Sequence, residues 1–207
     1  MMSILALDIG GANLKAADGQ RYARSQSFPL WRQPEQLADT VEGMIRESPA
    51  AKRLVVTITG ELADCFQTKQ EGIDRILSSL EAAAGQREIQ VYLCNGGFVD
   101  SHEAREQYLL ASASNWHALG CFATRYCREF PALLIDIGST TSDFIPLGAQ
   151  GPQPVGKTDP ERLATGELVY TGVERSPVCA IVRSLPWRGE TCQVAQELFA
   201  TTADGLA

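Results

Sequence analysis

Two short segments carry residue types in an order that suits phosphate chemistry. The first is Asp8-Ile9-Gly10-Gly11-Ala12-Asn13-Leu14-Lys15, an acid closing an apolar run, a double glycine and a lysine on the returning segment. Glycines let backbone N–H groups approach an anion closely, and a lysine adds a mobile positive charge for a phosphate. A carboxylate at a strand end suits Mg2+, which keeps several waters and takes only one or two protein carboxylates. Taken alone, an acidic double-glycine hairpin is more often a plain tight turn. The second segment, Asp136-Ile137-Gly138-Ser139-Thr140-Thr141-Ser142-Asp143, repeats the apolar, Asp, Ile, Gly order 128 residues later and adds four consecutive hydroxyls. A structural turn does not require that row of donors. Two loops gripping one polyphosphate therefore becomes the favoured reading, with a solvated β-turn rich in strand formers as its rival.

The surrounding periodicity shows what positions these segments. Ser3–Asp8, Asn13–Ala17 and Arg21–Phe28 read as a three-stranded meander, with Asp18-Gly19 a type I′ hairpin signal. Pro34 marks a helix start, and Leu37, Val41, Met44 and Ile45 fall on one helical face through Arg46. A β-branched strand, Leu54–Thr59, precedes a helix over Gly72–Ala84 whose apolar face is Ile73, Ile76, Leu77 and Leu80, and then a strand over Gln90–Leu93. The first half thus reads βββαβαβ. Helices follow over Glu103–Leu110 and Trp116–Arg128, the latter with Trp116, Leu119, Ala123 and Tyr126 on one side, and Pro131 ends the run. A strand over Ala132–Asp136, a turn at Gly138, an extended Ser142–Leu147 and a turn at Gly148–Gly151 then repeat the opening hairpin. Self-similarity at that distance predicts two related lobes, 1–130 and 131–207, rather than a solenoid.

Composition bounds the function. The chain has 207 residues, 44% hydrophobic and 21% charged, which is globular and excludes a collagen, a coiled coil or a disordered tail as the main structure. With 18 Lys and Arg against 25 Asp and Glu, the net charge of −7 disfavours nucleic acid and anionic lipid as partners. No apolar run approaches the ~20 residues a bilayer needs, and the opening residues lack a basic region before the apolar run, so the expected location is the cytoplasm. The six cysteines form no C-x-x-C pair and read as free thiols. His102-Glu103 begins like a zinc-protease helix, but Glu106 stands where the second imidazole is needed.

At this point the sequence resembles the actin, sugar-kinase and Hsp70 superfamily, in which two ribonuclease-H-like lobes each present such a loop. A closer resemblance covers nearly the whole chain, to the hydantoinase/oxoprolinase-like proteins of the tetrahydromethanopterin-linked one-carbon pathway, whose archaeal members act as a synthase in methanofuran biosynthesis. It rests on residues 6–15 and 136–143 together with Thr59-Gly60-Glu61-Leu62-Ala63-Asp64, Asn115-Trp116-His117-Ala118-Leu119, Gly166-Glu167-Leu168-Val169-Tyr170 and Glu197-Leu198-Phe199-Ala200-Thr201-Thr202. The resemblance implies an α/β protein with two ribonuclease-H-like lobes, the second incomplete because relatives continue past residue 207. It also implies condensation of an aminomethylfuran methyl diphosphate with the phenol of a gamma-glutamyltyramine-like acceptor, releasing diphosphate and consuming no nucleotide. Mg2+ is then expected at Asp8 and Asp136, and the diphosphate at Gly10, Gly11, Asn13, Lys15, Gly138, Ser139, Thr140 and Thr141.

A phenol of pKa about 10 attacks poorly at neutral pH, so a nearby base or acceptor would help. Glu61 and Asp64 follow the carboxyl end of a strand, where open α/β sheets place ligands, and join Lys15 as catalytic candidates; either acid serves equally well as a helix cap. Asp143 is a third carboxylate, in the metal shell or in solvent. Arg162, Glu167, Tyr170 and Arg175 lie near turns at Gly166 and Gly172, where an arginine would clamp an acceptor carboxylate or, more commonly, sit solvated. Trp116 reads as core before pocket floor. Two rival functions use the same loops: an ATP-dependent kinase or hydantoinase/oxoprolinase-like amidohydrolase, and a non-catalytic nucleotide-binding regulatory module. A homo-oligomer is an expected option, because an incomplete lobe exposes apolar surface.

Overall fold

Alternation of apolar and polar side chains makes β1 (Ile4–Gly10) a strand with one dry face, burying Leu5, Leu7 and Ile9 and turning Ile4, Ala6 and Asp8 the other way. The computed structural model describes residues 3–48 and 50–206, so Met1, Met2 and Ala207, at the ends of the two expected lobes, lie outside the described residues. β2 (Asn13–Ala17) returns antiparallel to β1, and β3 (Ala23–Ser27) antiparallel to β2. A 3-10 turn at Pro34–Gln36 leads into α1 (Leu37–Arg46), followed by β4 (Arg53–Thr59), α2 (Lys69–Ala84) and β5 (Glu88–Tyr92). β4 lies parallel to β1, β5 parallel to β4, and the short β6 (Phe98–Val99) closes the edge antiparallel to β5. The sheet order is β3-β2-β1-β4-β5-β6. Leu5, Leu7, Ile9, Leu14, Leu54, Val56, Ile58 and Val91 share one core with the α1 face Leu37, Val41, Met44, Ile45 and the α2 face Ile73, Ile76, Leu77, Leu80, these eight predicted helix-face residues all being buried. Burial of each such side chain contributes about 1.5–3 kcal/mol, so this face holds the sheet. α3 (Ser101–Glu106), α4 (Tyr108–Ala111) and α5 (Asn115–Thr124) follow.

The chain divides into two compact units, Met1–Phe122 and Ala123–Ala207. The second opens with β7 (Ala132–Ile137) and β8 (Ser142–Gly148), an antiparallel hairpin, with β9 (Gly151–Pro152) and β10 (Leu168–Val169) each pairing with β8. α6 (Asp159–Thr165) stands between β9 and β10, capped by a Thr158–Glu161 capping box at its start and by Gly166 in the left-handed region, φ +75°, at its end. α7 (Val178–Ile181) and a separate hairpin, β11 (Ser184–Trp187) with β12 (Glu190–Gln193), complete the unit with a 3-10 turn at Thr202–Leu206. The whole is mixed α/β. Among the described residues no helix is long and apolar enough to cross a membrane, and all six cysteines are free.

Several expected elements differ. The β2–β3 connection is not a two-residue type I′ turn: Ala17 pairs with Ala23, and the Asp18 carboxylate accepts from Gln20, Arg21 and Tyr22 N–H, an Asx arrangement that favours the longer loop. Positive φ at both central residues, as type I′ demands, occurs instead at Arg188 (52°) and Gly189 (86°) between β11 and β12. α2 starts a turn before Gly72 because Thr68 accepts from Glu71 N–H; its polar first turn hid the start. Glu103–Leu110 is not one helix but two, broken at Gln107 (φ −99°, ψ 35°). α5 stops at Thr124, and the predicted apolar face fails beyond Trp116, since Leu119 and Tyr126 are exposed.

Candidate functional site

Asp8 sits on the face of the first sheet opposite α1 and α2, in register with Lys15 on β2 and Thr57 on β4. Its Oδ2 is 3.1 Å from Lys15 Nζ, and its Oδ1 accepts from the Thr57 hydroxyl at 3.0 Å. The lysine is 59% exposed, so its ammonium is tethered to a half-buried acid yet faces water. At the strand end Gly10 is irreplaceable on steric grounds, because a Cβ there would lie 2.7 Å from the Asn13 carbonyl oxygen. Gly11 has open space where a side chain would be, and its carbonyl accepts from Leu30 N–H at 2.9 Å. Asn13, the first residue of β2, is exposed. The unit therefore brings together Asp8, Gly10, Gly11, Asn13 and Lys15 on one hairpin.

The second hairpin has the same geometry and different charge. Asp136 is in register with Asp143, the position equivalent to Lys15, so two carboxylates stand side by side. Asp143 donates nothing and instead accepts from Arg162 Nη1 at 2.7 Å; burial pushes its carboxyl above the usual range, Arg162 pulls it back, and Asp136 pushes it up again. Gly138 N–H donates to the Thr141 carbonyl at 2.8 Å, closing the turn that displays Ser139 and Thr140. The segment after β10 braces that turn: Val173 N–H reaches Gly138 O, Glu174 and Arg175 N–H reach Ser139 O, and Ser142 Oγ donates to Thr171 O. Gly172 is the contact residue, since a Cβ there would lie 2.5 Å from Thr140 N. Sequence reasoning treated Gly172 as punctuation only; close backbone approach is a tertiary property.

Two expected roles are corrected. Arg162 is neither a solvated arginine nor placed to clamp a ligand carboxylate: it is 1% exposed and is spent on Asp143 and on the Glu167 carbonyl, 3.0 Å from Nη2. Glu167 is likewise internal, its carboxylate accepting from Val155 N–H, Gly156 N–H and the Thr165 hydroxyl. Burial alone would raise its pKa, and those hydrogen bonds hold it below the ordinary value. The capping alternative for Glu61 and Asp64 also fails, because Thr68 caps α2. Glu61 is buried, with Lys69 Nζ at 3.8 Å and its backbone pressed against Gly72 of α2, while Asp64 is exposed. Trp116 is core, at 2% exposure.

A polar and aromatic group unmarked by motif lies on the same sheet face as Asp8. Tyr92, the last residue of β5, hydrogen-bonds His117 Nδ1 of α5 at 2.8 Å and contacts Cys121 Sγ at 3.6 Å. Burial and the Cys121 contact push the Tyr92 phenol up, so it is protonated at neutral pH. Only the segment containing His117 hinted at this group; the pairing of β5 with α5 is not readable from spacing.

Residues 53–204 match the family described as Hydantoinase/oxoprolinase. The chain belongs to this family. The hydantoinase/oxoprolinase match takes in β4, Glu61, Tyr92, His117 and the second hairpin and begins after the first. Over 204 residues, 97% of the chain, it is 36% identical to the (4-{4-[2-(gamma-L-glutamylamino)ethyl]phenoxymethyl}furan-2-yl)methanamine synthase of Methanocaldococcus jannaschii, and it spans 60% of that relative's length. A synthase of the same name from Methanococcus vannielii is 39% identical over 72 residues, 35% of this chain and 32% of that protein.

Proposed function

We propose that the chain acts in the synthesis of an aryl furanylmethyl ether, transferring the furanylmethyl group of an aminomethylfuran methyl diphosphate to the phenol of a gamma-glutamyltyramine-like acceptor. The observation that carries this is the repeated Asp-Ile-Gly hairpin, with Lys15 on one copy and hydroxyls on the other, in a relative of a synthase whose product is a phenoxymethylfuran. In the reaction the phenol oxygen bonds to the furan CH2, the CH2–O bond to diphosphate breaks, and the phenol proton leaves to an acceptor on the protein or to diphosphate. The furan oxygen delocalises positive charge at the reacting carbon. What the protein must supply is stabilisation of the departing diphosphate, the role of Lys15 and of the Gly10–Gly11 and Gly138–Thr141 turns.

Mg2+ belongs to this reading. Asp8 and Asp136 are the ligands proposed, and Asp136 has the more favourable setting: Asp8 is already balanced by Lys15 and Thr57, whereas Asp136 faces a second carboxylate. Mg2+ takes one or two protein carboxylates and completes its shell with phosphate and water. When bound, the ion would neutralise leaving-group charge. Each unit is read as a ribonuclease-H-like lobe; the order β3-β2-β1-β4-β5 with β2 antiparallel to its neighbours supports the first. The family's own description favours one second reading, an ATP-dependent or hydrolytic amidohydrolase. Incubating the chain with the furan diphosphate, tyramine-type phenol and Mg2+ and detecting an ether by mass tests the choice. Diphosphate release that needs both substrates supports the transferase, whereas phosphate release from ATP with a hydantoin-type substrate and no ether formation rejects it.

A further inference from the structure

Lysine carries its charge on a flexible four-carbon stem, so an exposed ammonium sweeps a wide volume unless a neighbour holds it. Lys15 is 59% exposed, yet Asp8 Oδ2 holds its Nζ at 3.1 Å. Rotation about the last bond of an aspartate is broad, so one carboxylate oxygen keeps a fixed direction only where the other is anchored. The anchor is Thr57, whose hydroxyl donates to Asp8 Oδ1 at 3.0 Å. Asp8 is in register with Lys15 on its β2 side and with Thr57 on its β4 side, so the three side chains form one row across three strands. Hydroxyl, carboxylate and ammonium are joined by two bonds, each on a different carboxylate oxygen.

β4 gives that row a rigid end. Val56 and Ile58, the neighbours of Thr57, are 1% and 0% exposed in the core with α1 and α2, so the strand cannot shift without disturbing close packing. A β-branched side chain is stiff at χ1, which keeps the hydroxyl directed along the row. Strand formation alone does not call for that hydroxyl: valine suits a strand equally well, and Val55 occupies the preceding position on the same face. Two residues further on, Thr59 brings β4 to the turn, where a Cβ on Gly10 would lie 3.4 Å from Thr59 Oγ1. One face of β4 therefore borders both the Asp8–Lys15 pair and the Gly10–Gly11 turn.

We propose that Thr57 is a positioning residue of the diphosphate site, fixing through Asp8 the direction in which Lys15 presents its ammonium. This rests on the transferase reading for the anion and deepens it. One N–H of the ammonium is directed to Asp8, which leaves two for phosphate oxygens. Holding the stem in one arrangement beforehand removes part of the ordering cost that a free lysine meets on binding. Without the hydroxyl, the Asp8 carboxylate turns and the ammonium it holds spreads over several rotamers. Thr57 makes no contact with substrate in this arrangement, and its effect reaches the reaction through Lys15.

The test uses the full chain with inorganic diphosphate as the probe. Thr57→Val keeps the branched shape and strand preference and removes the hydroxyl, whereas Thr57→Ser keeps the hydroxyl. Calorimetry should show diphosphate binding weakened about three- to tenfold by Thr57→Val and about twofold or less by Thr57→Ser. In the Lys15→Ala background Thr57→Val should cause no further loss, the signature of a residue that acts through another. The chain has four lysines, so the Lys15 ε-methylene is assigned in 13C-lysine-labelled protein by its disappearance in Lys15→Ala. Its NMR order parameter should fall in Thr57→Val and stay unchanged in Thr57→Ser, a response that a merely structural hydroxyl would not produce. In turnover Thr57→Val should raise KM for the furan diphosphate and leave KM for the phenol unchanged. An unchanged Lys15 order parameter in Thr57→Val overturns the proposal, as does equal diphosphate affinity in the parent and Thr57→Val, or a further loss in the Lys15→Ala background. Should Thr57→Val unfold the chain, Thr57→Ala carries the same readings, and unfolding of both overturns the proposal by making the residue structural. If diphosphate binding and the methylene respond as expected and the parent forms no ether, the positioning role stands and the transferase reading falls. If ether forms while the methylene does not respond, the positioning role falls alone; a parent that binds no diphosphate overturns both.

Discussion

Arg162→Met removes a nearly fully buried cation while keeping the length of the stem. Two contacts disappear: the charge-assisted bond from Nη1 to Asp143 Oδ1 at 2.7 Å and the bond from Nη2 to the Glu167 carbonyl at 3.0 Å. A hydrogen bond to a charged group contributes about 1.5–3 kcal/mol and a second bond about 1, and the Asp143 carboxylate left behind adds a desolvation cost, so a loss of about 3–4 kcal/mol is expected. At a urea slope of about 1–3 kcal/mol per molar the midpoint of the second unit should fall by roughly 1 M or more. Hydrogen exchange of the β7 and β8 amides during urea titration reads that unit separately from the first. Because burial already raises the Asp143 carboxyl and the variant removes the opposing arginine, protonation becomes easier, and the deficit should shrink as pH falls from 7 towards 5. The double variant Arg162→Met with Asp143→Asn should recover part of the loss. A change below about 1 kcal/mol at pH 7 would refute the view that this ion pair supports the second hairpin.

Lys15→Ala should abolish ether formation while altering stability by less than about 1 kcal/mol, since the pair with Asp8 is largely exposed; unchanged turnover removes Lys15 from the mechanism. Gly172→Ala should cost about 1–3 kcal/mol by forcing the Gly138–Thr140 turn away, whereas Gly11→Ala, with open space for its methyl, should fold normally and lose diphosphate affinity measured by calorimetry. Glu167 has a folded pKa below its ordinary value, so its contribution to stability is complete above the unfolded carboxylate pKa and is lost as pH falls through the lower folded value. Urea midpoints between pH 6 and pH 3 should show that acid limb in the parent protein, diminished in Glu167→Gln.

Similar hairpins need not do similar work. Position 15 is a lysine and its repeat equivalent, position 143, is an aspartate, so the first copy pairs its acid with a cation and the second sets two acids side by side, with buried Arg162 on Asp143. That difference in charge is visible once the registers are known.

Local pattern determined much here. Helical spacing named the buried faces of α1 and α2 correctly, apolar and β-branched runs bounded by glycine turns placed β1, β2, β4, β7 and β8, and the repeated Asp-Ile-Gly order located both hairpins, because each of these signals is set by neighbours within a few residues. The same runs were blind to burial: Leu5, Leu7 and Ile9 are at most 3% exposed, while their repeat equivalents Leu133, Ile135 and Ile137 are at least 50% exposed. Spacing states which side chains share a face, and only the packing of α1 and α2 on β1 decides whether that face is dry. Burial of Arg162, the bracing of Ser139 and Thr140 by Gly172, and the meeting of Tyr92 with His117 belong to that second class, since each joins residues brought near by the fold rather than by the order of the chain.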